Sequence, residues 1–146
     1  MAVSLSTLSA QLAALFESPP ATYSACAQAW ASSAQSYAGA VVPASTTVSA
    51  AVATLAGDLT SAFQQADAIP AMETAFAAFA ATVGAGMAPD FAATPPAGQV
   101  GFQAQFSGGF PATHTDAANQ IAGRIDTWFR TGTAVPSGGG SPAPWS

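Results

Sequence analysis

Residues 48–63 read VSAAVATLAGDLTSAF, and their apolar positions decide the fold class. Val48, Val52, Leu55, Leu59 and Phe63 recur every three or four residues, the period of one helical face and not the alternation of a strand. The result is an a/d-like seam about four turns long. Ser45-Thr46-Thr47 stand just before it as the helix start, and Pro43 closes whatever precedes them.

The same period extends outward in both directions. Leu5, Leu8, Leu12, Leu15 and Phe16 make a first helix, which Ser4 or Ser6 caps and Pro19-Pro20 ends. A second runs from about 22 to 40 with Cys26, Trp30, Ala34, Tyr37 and Val41 on its stripe. After the seam, Pro70 either kinks the pattern or starts a fourth helix. That helix carries Met72, Phe76, Phe79 and Val83 until Gly84 and Gly86 stop it. Residues 84–98 hold Pro and Gly at a density that reads as a loop, pinned by Met87 and Phe91. A short helix is expected around 100–106. A clearer one follows over 115–129, with Ala118, Ile121, Ile125 and Trp128 inward. The expectation is an all-α bundle of five to six helices, one Ala-rich domain over 1–130.

Two stretches share a pattern. Phe16 begins FESPPATYSACAQAWASSAQSYAGAVVPAS and Phe106 begins FSGGFPATHTDAANQIAGRIDTWFRTGTAVPS. Aligning the Pro-Ala-Thr triplets sets Trp30 opposite Ile121, Ala34 opposite Ile125 and Tyr37 opposite Trp128. Thr113 with Asp116 fits a capping pattern whose acidic position is Ala25 in the first copy. Either two similar helical-hairpin units, 4–43 and 99–136, are joined by helices over 46–83, or Ala-rich helices after a Pro simply resemble one another.

Composition narrows function by exclusion. Of 146 residues, 50% are hydrophobic and 6% charged, against roughly 25% charged in an average protein. Two arginines and no lysine face seven acids, giving a net charge of −5. A nucleic-acid partner is therefore not expected, because displacing phosphate counterions takes Lys or Arg. No run reaches the roughly 20 apolar residues of a membrane span, so no membrane partner is expected either. The N-terminus lacks the basic start of a secretory signal, and the chain reads as one folded in a cytoplasm. Ala fills little space and removes little area from water. The Phe, Trp and Leu side chains must supply most of the burial. A thin core and an uncharged surface both suit a protein packed against copies of itself.

The residues that could carry chemistry are few. His114 is the lone histidine; with Asp116 it offers a base, but without a nucleophile to activate it reads as a polar residue at a helix start. Cys26, on an apolar stripe, reads as a small buried hydrophobe. The acids are scattered, so no metal site, cofactor, small-molecule substrate or catalytic residue is expected. Gly84-Ala85-Gly86 and Gly138-Gly139-Gly140 lack the Lys that a phosphate loop needs. Residues 131–146, TGTAVPSGGGSPAPWS, read as a flexible Gly/Ser/Pro arm ending in Trp145. A Trp after such a run is an anchor, expected on a neighbouring subunit. The interface residues expected are Trp145, Pro144 and Pro136 of the arm, with Trp128 and Phe129 beside it.

Residues 96–146, with PPAGQVGFQAQF followed by TDAANQIAGRIDTWFRTGTAVPSGG, resemble small Ala-rich virion structural proteins of tailed bacteriophages. The resemblance rests on a helix pattern, a Thr-Gly exit and a Gly-rich end, and reaches the first forty residues only faintly. It implies a non-enzymatic particle component, such as a capsid decoration protein or a neck, tail or baseplate subunit. Made in the host cytoplasm, it would sit in the virion among copies of itself and other structural proteins. The alternative is a secreted bacterial helical-hairpin partner protein. Its Trp-x-Gly turn should fall between helices, whereas Trp30-Ala31-Ser32 lies inside one.

Overall fold

The computed structural model describes residues 2–109 and 111–146; Met1 and Phe110, the latter inside the second repeat unit, lie outside the described residues. Six helices account for most of the described chain: α1 (Leu5–Glu17), α2 (Tyr23–Ala38), α3 (Val48–Phe63), α4 (Ile69–Ala85), α5 (Phe102–Ser107) and α6 (His114–Phe129). The helical bundle is present as expected. Ser4, Thr22 and Thr113 cap α1, α2 and α6, each accepting a hydrogen bond from the amide three residues on. Pro70 sits in the first turn of α4, where its missing N–H costs nothing.

The seam of α3 turns inward. Val48, Val52, Leu55 and Leu59 are buried, Phe63 is half-buried, and Ala51 and Ala62 fill the spaces between them. Each helix packs on the next in chain order, α1 on α2 through to α5 on α6, and α6 closes the circuit against α1. Trp30 sits at the centre, its ring 6.2 Å from those of both Phe76 and Phe102 and 5.9 Å from that of Phe16. Eight alanines, Ala27, Ala31, Ala38, Ala51, Ala62, Ala80, Ala118 and Ala122, have no exposed surface. Small side chains at these positions let helices approach closely. A void among the aromatics measures about 10 Å³, no roomier than one water.

Two expectations need correction. Residues 84–98 are not all loop: α4 runs through Gly84 to Ala85, and Phe91–Thr94 form strand β1. The tail is not a free arm. Thr133–Pro136 form β2, antiparallel to β1 with Phe91 opposite Pro136, and Ala143–Pro144 form β3 on the far edge of β2. Four- and two-residue strands are too short to show a period in sequence, which is why a helix-only reading missed them. Helix α3 begins directly after Ser45-Thr46-Thr47, as expected, but their side chains turn to another helix. Ser45 Oγ donates to Val83 O at 2.6 Å, Thr47 Oγ1 donates to Thr82 O, and Thr46 N donates to Gly86 O at 3.0 Å. They satisfy the C-terminal carbonyls of α4, the orphan acceptors of a helix end.

The two aligned units share their second helix. Their Pro-Ala-Thr triplets cap in the same way, and Trp30, Ala34 and Tyr37 are buried like Ile121, Ile125 and Trp128. Their first helices differ, 13 residues in α1 against six in α5.

Candidate functional site

Three of the five expected interface residues, Trp145, Trp128 and Phe129, lie in the chain's own core. Trp145 has no exposed surface. Its ring lies 5.1 Å from that of Phe129, and two glycines shape its slot. A Cβ on Gly132 would come within 2.6 Å of the indole, and one on Gly84 within 3.1 Å. Trp145 N donates to Gly132 O at 2.9 Å, while Val42 and Ser146 exchange backbone hydrogen bonds at 2.7 and 3.1 Å. Trp128 and Phe129 are buried too, Pro136 is half-buried in β2, and only Pro144 of the five expected residues is exposed. The physical reason is that a tethered indole filling a slot at home avoids the translational and rotational cost of docking on another molecule.

One functional-looking residue was invisible in the sequence. Glu73 reads as one of several scattered acids, yet its carboxylate is buried against the start of α5. It accepts from Val100 N at 2.7 Å, Gly101 N at 2.9 Å and Phe102 N at 2.7 Å. A buried charge survives only when it is hydrogen-bonded, and three backbone donors meet that need. The available signal was its position on a helix apolar all round, where an acid must find partners.

The same segment walls an open groove. It measures about 650 Å³ and lies between residues 97–105 and one face of α6. Arg124 stands in it. Arg124 Nε donates to Gln105 Oε1 at 2.9 Å, and Gln105 Nε2 donates to Gln120 Oε1 at 2.8 Å. Gln105 is buried, so this relay fixes the guanidinium against Gly101. Gly101 holds a φ of +96°, a left-handed conformation that glycine takes freely. Trp128 floors the groove and donates through Nε1 to Gly98 O at 3.3 Å.

The chain matches no family model, no curated protein and no solved structure.

The remaining candidates lie apart from the groove's relay. His114 is exposed at the start of α6, and Asp116 turns to Thr113, whose Oγ1 donates to it at 2.8 Å. Cys26 is half-buried on α2, and burial pushes its thiol up, away from the thiolate that a nucleophile needs. Among the described residues no three His, Cys, Asp or Glu side chains gather as a metal site would require, and no helix is long and apolar enough to cross a membrane. Trp30 lies within α2, not in a turn between helices.

Proposed function

We propose that this chain is a structural subunit of a tailed-bacteriophage particle, acting by occupying a place in an assembly with copies of itself and other particle proteins. The supporting observation is the near absence of charge outside the core. Of seven acids and two arginines, Asp126 and Arg130 pair with each other and Glu73 is buried. That leaves five exposed acids and the half-buried Arg124. Interface cores are depleted of charged residues, so faces this poor in charge suit a subunit whose surface is covered in place. A capsid decoration protein and a neck, tail or baseplate subunit are both compatible with this surface. The role involves no cofactor, metal, membrane, nucleic acid or turnover, and its place is the virion after synthesis in the host cytoplasm.

The test is a count of copies per particle, by quantitative mass spectrometry of size-fractionated native source. Hundreds of copies assign a capsid lattice; a ring-sized number assigns the neck, tail or baseplate. Recovery only as a free monomer or dimer overturns the reading and favours a secreted helical partner.

A further inference from the structure

We propose that the groove between α6 and residues 97–105 binds an extended acidic peptide segment of a partner protein, with Arg124 taking its carboxylate. The proposal rests on the assembly reading above and names what such a partner must present.

Charge is the first argument. The chain carries seven acids, yet none lines this groove, while one of its two cations does. The single ion pair among the described residues is Asp126–Arg130, so no carboxylate of the chain neutralises Arg124. A guanidinium is normally mobile, but here Gln105, itself held by Gln120, accepts from its Nε, leaving its two Nη groups as the donors for a planar carboxylate.

Shape and lining supply the rest. Gln99, Asn119, Gln120 and Thr127 line the groove together with Arg124. Gln99 offers a donor and an acceptor side by side, the complement of a peptide's own C=O and N–H, while Asn119 and Gln120, whose oxygens accept from Ser9 and Gln105, present their NH₂ groups as donors. Along α6 the groove extends from Asn119 to Thr131, about 18 Å at the helical rise. An extended segment of about five residues has that length. A sugar is a poorer occupant, because the only aromatic here, Trp128, is buried and spends its N–H on Gly98, leaving no open ring face. A nucleic acid would need several cations.

The experiment titrates the ¹⁵N-labelled full chain with acetyl-Ser-Ala-Asp-Ala-Ser-amide, its Asn counterpart, and glucuronate. The Asp peptide should shift the Arg124 Nε–H and Gln105 side-chain signals saturably while the Arg130 Nε–H stays put. The Asn peptide should bind about tenfold or more weakly, and added salt should weaken the Asp peptide alone. R124Q should abolish the response with the rest of the spectrum intact; if that variant does not fold, the Asp-against-Asn comparison on the native chain decides. Equal response to both peptides, no response, or response to glucuronate alone would each overturn the proposal. Peptide binding by a chain that is absent from particles keeps the groove and sinks the virion reading. A chain present in particles but silent to the peptide does the reverse.

Discussion

Glu73 shows how much one residue can depend on contacts made 27 to 29 positions away. Its three backbone donors, on Val100, Gly101 and Phe102, hold α5 against α4. Glu73→Gln replaces an accepting oxygen with an NH₂ that faces donors, and should cost about 1–3 kcal/mol. Glu73→Ala strands all three N–H groups and should cost more. Urea unfolding orders the series; a loss within about 0.5 kcal/mol for both, as for an ordinary surface site, would contradict the role. Tyr37 gives a pH prediction. Burial pushes its phenol well up, helped by the hydrogen bond to Asp126 at 2.7 Å and that residue's charge, with Arg130 opposing. The folded state therefore keeps a proton that the unfolded chain releases near pH 10. The phenol's contribution is fully present below about pH 10 and falls as pH rises beyond it. Stability measured across that range should drop more steeply for the native protein than for Tyr37→Phe.

At the scale of elements, the tail is where sequence and structure part most. The seam of α3 was legible because its period repeats locally over four turns, and the capped starts of α1, α2 and α6 because Ser or Thr stands at each. The groove was not legible: Gln105, Gln120 and Arg124 are ordinary surface types until α5 folds against α6. Nor was the slot for Trp145, which is cut by Gly84 and Gly132 from separate elements and leaves no local pattern. Pro and Gly around a terminal Trp read as a linker because composition cannot see shape. The indole's position yields a clear contrast. Trp145→Ala should destabilise the isolated chain by about 3–5 kcal/mol, while exposed Pro144→Ala should stay within about 0.5 kcal/mol. Gly132→Ala should cost about 1–3 kcal/mol by overpacking the ring. Thermal or denaturant unfolding separates these outcomes from those of an arm that serves only a neighbour, for which Trp145→Ala would leave the lone chain unchanged.

For the whole molecule, the closed circuit of helices and the latched tail together mean that the proposed assembly would have to use outer faces, not an unfinished core. Those faces carry five acids and almost no compensating cation. At neutral pH the net charge of −5 supplies what repulsion there is between copies. As pH falls toward the isoelectric point near 4.1, that repulsion vanishes while the apolar and amide surface is unchanged. Self-association followed by light scattering should therefore rise steadily as the pH approaches that value. Two copies that meet through uncharged faces have few ion pairs to screen. At neutral pH, raising the salt should strengthen association slightly, because it screens the repulsion between like-charged subunits. Weakening with salt would instead require opposite charges across the interface, and the sole cation placed to supply them is Arg124. If salt weakens association in the native chain but not in R124Q, the contact between copies runs through the groove, and the acidic segment that fills it belongs to the chain itself.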